Sequence, residues 1–123
     1  MVSPAGGYVP DRGDVIWIAF NPQAGHEQAG HEQAGHRPAL VLSPQRYNGR
    51  TGLAVLCPIT NQQKGYPFEV TIPEGSSVTG VVLADQVKNL DWRSRQATFA
   101  CRLTDSVAAA VLQKLNKLLD PTG

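Results

Sequence analysis

Short apolar runs cut by proline and glycine constrain this chain more than any other feature. Residues 14–20 read DVIWIAF, mixing β-branched and aromatic side chains, and Asn21-Pro22 ends them. Residues 38–43 (PALVLS) stop at Pro44, and residues 53–57 (LAVLC) run into Pro58-Ile59-Thr60. Residues 68–72 alternate as Phe, Glu, Val, Thr, Ile and stop at Pro73-Glu74-Gly75. Runs this short, so punctuated, predict strands rather than helices, with further strands over 80–84, 86–90 and 96–103. Tyr47-Asn48-Gly49 reads as a turn. The end differs. Val107, Val111, Leu115 and Leu118 recur at helical spacing, and Leu112 and Leu119 widen the face. Thr104 is placed to cap, Asp105 suits the first turn, and Lys114 and Lys117 suit the C-terminal half. This predicts one helix over about 105–119. Strands followed by one helix imply a mainly β fold with α, a small barrel carrying a C-terminal helix. Strands do not alternate with helices, and neither GxGxxG nor GxxxxGK[ST] occurs, which excludes the usual nucleotide-binding folds.

The 123 residues suit one domain, 1–123, with 41% hydrophobic and 17% charged residues, a folded composition. The net charge of +1 excludes a globally basic surface but not a local one. No run approaches the roughly 18 apolar residues of a membrane span. MVSPAGGYVPDRGD has no signal-peptide pattern, so the expected compartment is the cytoplasm. Cys57 and Cys101 have no CxxC spacing and read as reduced core thiols.

Residues 25–36 read GHEQAGHEQAGH, so the unit GHEQA occurs twice and a third copy begins at Gly35-His36. All three histidines, His26, His31 and His36, lie there. On a helix, residues five apart sit about 140° from one another, so no single face collects them. No cysteine or clustered carboxylate completes a tetrahedral set, and no metal is expected. An expanded surface loop is the simpler reading.

Between Gln33 and Phe68 there is no Asp or Glu, while Arg37, Arg46, Arg50 and Lys64 occur with Asn48, Thr60, Asn61, Gln62 and Gln63. A cationic rim near Tyr47, Tyr66 and Phe68 suits single-stranded nucleic acid, cations for phosphate and rings for bases. Solvated arginines are the plainer account of the same residues. Neither GxSxG nor HExxH is present, and no acid cluster in sequence could hold two Mg²⁺. RNA allows a metal-free route, because its own 2′-OH can attack the adjacent phosphate if the protein positions it and stabilises the charge.

Five blocks in order carry a resemblance: YVPDRGDVIW at 8–17, EQAGHRPALVLSP at 32–44, CPIT at 57–60, KGYPFEV at 64–70 and LADQVKNLDWR at 83–93. In them the chain resembles the MazF/PemK family, mRNA-interferase toxins of type II toxin–antitoxin systems. The resemblance implies an SH3-like barrel (PemK/CcdB-like), a homodimer, and a sequence-specific endoribonuclease acting without cofactor on single-stranded RNA. It also implies a cognate acidic, MazE-like antitoxin that blocks the RNA groove. The family's catalytic arginine and threonine fall on Arg37 and Thr60. Glu32, His36 and Lys64 match positions near that site, as candidates for proton transfer or RNA contact, and either His36 or Glu32 could take the 2′-OH proton. Arg46, Asn48, Asn61 and Gln62 are candidate RNA contacts. The chain departs from the family in its additional HEQAG just upstream of Arg37. Two other functions remain on the same scaffold: a non-enzymatic CcdB-like toxin that binds a protein such as DNA gyrase, and a plain SH3-like interaction module. Arg37 paired with Thr60 is superfluous to a gyrase binder, and 7% aromatics is thin for a ring-lined peptide groove.

Overall fold

The computed structural model describes residues 7–20 and 35–122. In chain order these form β1 (Asp14–Ala19), β2 (His36–Val41), α1 (Gln45–Thr51), β3 (Leu53–Thr60), β4 (Glu69–Thr71), β5 (Val81–Leu83), a 3-10 turn at Ala84–Gln86, β6 (Lys88–Asp91), β7 (Thr98–Arg102) and α2 (Asp105–Leu119). The strands make one seven-stranded sheet in the order β4-β5-β3-β2-β1-β7, with β6 also on β3. Every pairing is antiparallel. The sheet is barrel-like but open, since no ladder joins β4 to β7 among the described residues. His26, His31 and Glu32 lie outside the described residues.

β2 and β3 read as nearly unbroken apolar runs because both of their faces are covered. Leu40, Leu42, Cys57 and Ile59 enter one core with Val107, Val111 and Leu115 of α2. The intervening Ala39, Val41, Ala54 and Leu56 enter a second core with Val9, Ile16, Ile18 and Trp92. The period of two therefore divides one strand between two apolar cores, and no polar face remains to show as alternation. Cys57 lies fully buried in the first core, and burial pushes its thiol up to about 12, reinforced by the charge of Asp85. Cys101, by contrast, is half-buried on β7.

Proline marks where ladders change hands. The β2–β3 ladder begins at Ala39, just after Pro38, whose nitrogen cannot donate. β3 pairs with β6 over Leu53–Leu56 and with β5 at Ile59 and Thr60, and Pro58 sits in the gap between them.

α2 spans the predicted residues, but its apolar face is narrower than the spacing implied. Val107, Val111 and Leu115 are buried, whereas Leu118 and Leu119 are 46% and 68% exposed. The helix runs past the edge of the core there. Thr104 does precede the helix, yet its hydroxyl pairs with Ser106 Oγ rather than a backbone amide.

The turn expected at Tyr47-Asn48-Gly49 is instead the middle of α1. This helix has no apolar stripe, so its sequence lacks the helical signal. Asn48 supplies what the stripe would. Its Nδ2 donates to Pro10 O at 2.8 Å and Ser43 O at 3.0 Å, and its Oδ1 accepts from Ser43 Oγ at 2.5 Å. Trp92 Nε1 donates to its carbonyl at 3.0 Å, and Gly52 in the left-handed region (φ 75°) ends the helix. Asn48 is fully buried, so the expected RNA contact is a core residue instead. Asn48→Ala should lower unfolding free energy by about 3 kcal/mol, because buried partners lose their hydrogen bonds; urea denaturation measures it, and an unchanged midpoint would contradict this role.

Candidate active site

At one end of the sheet an open cleft of about 270 Å³ is lined by Arg37 from β2, Thr60 from β3, Gln62, Lys64, Tyr66 and Phe68 from the following loop, Glu69 from β4, Leu83 from β5, and Asp85 and Gln86 from the 3-10 turn. Strand pairing explains why Arg37 and Thr60 meet although far apart in sequence. Ala39 faces Pro58 and Leu40 faces Cys57. Carrying that antiparallel register two residues past Ala39 sets Arg37 opposite Thr60. Arg37 is exposed, and its guanidinium lies 5.9 Å from the centre of the Phe20 ring, within cation–π range. Thr60 is half-buried, and its Oγ1 accepts the Gln62 amide at 3.1 Å. The hydroxyl proton is then left to donate toward the cleft.

Thr60 is held from behind by a close backbone approach. A Cβ on Gly80 would lie 2.2 Å from Thr60 O, and Gly80 has φ +114°, so only glycine fits there. Thr79 Oγ1 donates to Asn61 Oδ1 at 2.9 Å, closing the same corner.

The loop after β3 is tied down by its neighbours. Glu69 accepts the Lys64 amide on Oε2 at 3.0 Å and the Gly65 amide on Oε1 at 2.9 Å. The Glu69 amide donates to Tyr66 O at 3.1 Å, and Lys114 Nζ of α2 donates to Pro67 O. Lys64 Nζ stands 5.9 Å from the Tyr66 ring centre, with Tyr66 59% exposed.

Of the residues expected at the site, the cleft gathers Arg37, Thr60, Gln62 and Lys64. Asn61 adjoins it but does not line it. Arg46, with Tyr47 and Arg50, rides on α1 and does not reach it. His36 precedes Arg37 on β2, and successive strand residues face opposite sides, so His36 does not line the cleft with Arg37. Its Nδ1 is buried without a hydrogen-bond partner among the described residues.

The acid-free stretch in sequence does not make an acid-free cleft: Glu69 and Asp85 both line it. Residue order hid them, since both follow Phe68. The blocks at 64–70 and 83–93 contain Glu69, Leu83, Asp85 and Gln86 and could have placed them. Among the described residues no three His, Cys, Asp or Glu side chains group as metal ligands.

Fold and cleft define a small mainly β protein with a mixed-charge, ring-lined cleft at one end of an antiparallel sheet. Over residues 11–119 the chain matches the family described as PemK-like, MazF-like toxin of type II toxin-antitoxin system. It is 48% identical over 112 residues to the endoribonuclease toxin MazF of Escherichia coli (strain K12), covering 91% of this chain and 96% of that protein. It is similar to the crystal structure of MazF (Form-I) from Deinococcus radiodurans, with a TM-score of 0.79 and 55% identity over 91% of this chain and 97% of that one. The structure of MazE-MazF (Form-II) from the same organism gives a TM-score of 0.78 and 50% identity over 92% and 97%. The chain belongs to the PemK-like, MazF-like toxins of type II toxin-antitoxin systems.

Proposed function

We propose that this chain is a sequence-specific endoribonuclease toxin that cleaves single-stranded mRNA in the cytoplasm, with residues 1–123 acting as one domain. The observation that carries the reading is the convergence of Arg37 and Thr60, from adjacent strands, on one cleft. An always-protonated guanidinium fork suits the scissile phosphate and the charge that builds on it, and is a poor base. Thr60 Oγ1, which accepts the Gln62 amide on one lone pair, donates its proton to the same phosphate and aligns the sugar. Lys64 and Tyr66 offer a cation and an open ring for the flanking nucleotides. Of the two groups offered for the 2′-OH proton, His36 does not line the cleft and Glu32 lies outside the described residues.

The reaction is metal-independent attack by the 2′-OH, giving a 2′,3′-cyclic phosphate, or the 3′-phosphate after its hydrolysis, and a 5′-OH. The donor set supports this. Among the described residues that line the cleft, Glu69 is committed to two loop amides and Asp85 is the other carboxylate, and a two-metal site needs more ligands. A non-enzymatic protein binder would have no use for the Arg37–Thr60 arrangement. The Deinococcus structure of MazE-MazF supports, for this chain, a cognate antitoxin, whose acidic segment would cover Arg37 and Lys64, and we infer a homodimer as the active unit.

The test uses one oligonucleotide containing a cut site, with EDTA present, in all-ribose form and with a single 2′-deoxy sugar immediately 5′ of the cut. The first should be cut and the second bound but left whole. Equal cutting of both would overturn 2′-OH attack, and cutting only after Mg²⁺ is added would overturn the metal-free site.

A further inference from the structure

A carboxylate in a cleft for a polyanion is an anomaly, because it repels the phosphates that Arg37 and Lys64 attract. Glu69 resolves it by where its oxygens point. Both are turned onto consecutive backbone amides, of Lys64 and Gly65, at 3.0 and 2.9 Å. Charge-assisted bonds of this kind are the stronger ones, and two from one carboxylate fix direction as well as distance. The other ties on this segment hold its two ends, Thr79 at Asn61, and Lys114 and the Glu69 amide at Pro67 and Tyr66, so the Lys64-Gly65 turn between them rests on the carboxylate. Residues 61–67 are all exposed and contain no strand or helix. Gly65 takes φ +79° with nothing within 4 Å of where a Cβ would be, so packing does not hold it in that conformation. The two residues this turn presents, Lys64 and Tyr66, give the cleft its second cation beside Arg37 and an exposed ring.

We propose that Glu69 is a positioning residue for RNA, whose carboxylate pre-forms the 61–68 loop so that Lys64 and Tyr66 meet the strand without first being ordered. This rests on the endoribonuclease reading above. Ordering a loop upon binding costs conformational entropy that a pre-formed loop has already lost, so the effect belongs to affinity and not to the chemical step.

The experiment uses the full chain with Glu69→Ala and Glu69→Gln. Steady-state cleavage of an RNA containing a cut site is measured with the exchange rates of the Lys64 and Gly65 amides in RNA-free protein. Glu69→Ala should raise KM about tenfold, with kcat within about twofold, and speed exchange at both amides. Glu69→Gln keeps one acceptor and should fall between it and the unsubstituted chain. A merely structural role would lower the melting temperature and the active fraction while leaving KM in place. Faster exchange with unchanged KM, or a collapse of kcat at unchanged KM, would overturn the proposal. If Glu69→Ala does not fold, Glu69→Gln carries the same comparison. An unsubstituted protein that cuts no RNA would overturn the endoribonuclease reading instead, while amide exchange would still report whether Glu69 orders the loop.

Discussion

Arg37→Ala is expected to lower kcat/KM between about a hundred- and a thousandfold, the roughly 3–4 kcal/mol that one transition-state donor contributes in a preorganised site. The side chain is exposed, stands 5.9 Å from the Phe20 ring centre, and makes no side-chain hydrogen bond among the described residues. Its removal should therefore change unfolding free energy by less than about 0.5 kcal/mol, as for other surface positions. Activity and stability separate cleanly at this residue. Arg37→Lys should also be poor, because an ammonium point charge cannot reproduce the planar fork on a phosphate. Thr60→Ala should be damaging at intact fold, since a hydroxyl is lost where Gln62 and the phosphate both use it. Full activity in Arg37→Ala with an unchanged melting curve would remove Arg37 from the chemistry.

Gly80→Ala should be the most damaging single-methyl change in the described fold. The new Cβ would sit 2.2 Å from Thr60 O and 2.8 Å from Thr60 C, both backbone atoms that no side-chain rotation can move. It would also require φ +114° of an L-residue. The β3–β5 ladder runs through Thr60 and Val81, and Ile72 donates to Gly80 O at 3.0 Å in the β4–β5 hairpin, so relief has to break one of these. The expected loss is about 4 kcal/mol, at the upper end for a point substitution. Cleavage should fall too, measured at a temperature where the variant is still folded, because relief moves Thr60. Gly75→Ala is the control. It shares the positive φ (+91°) but nothing lies within 4 Å of its Cβ, so it should cost only the backbone strain, about 1 kcal/mol. Equal losses in the two variants would show that strain, and not the collision with Thr60, decides the outcome.

Much of this molecule is written locally. The apolar runs around Val15, Leu40 and Leu56 demanded strands, and Val107, Val111 and Leu115 demanded a helix, since each pattern matches the period of one element. Arg37, Thr60 and Lys64 were legible through the ordered blocks that contain them, and Gln62 through the acid-free polar stretch between two of those blocks; antiparallel pairing of β2 with β3 brings Arg37 and Thr60 together. What required the tertiary structure was every feature whose cause lies far away in sequence. α1 forms without an apolar stripe because Asn48 finds Pro10, Ser43 and Trp92 in the core. Leu118 and Leu119 fit the helical pattern but outrun the surface that would bury them. His36 adjoins Arg37 in sequence, yet the two-residue strand period sends it to the other face. Glu69 and Asp85 follow the acid-free stretch, yet β4 and the 3-10 turn carry them back to the cleft that stretch builds. A local pattern specifies what an element is. Which residues become neighbours depends on the register and on what covers each face, and these are settled only when the strands pair and the two cores close.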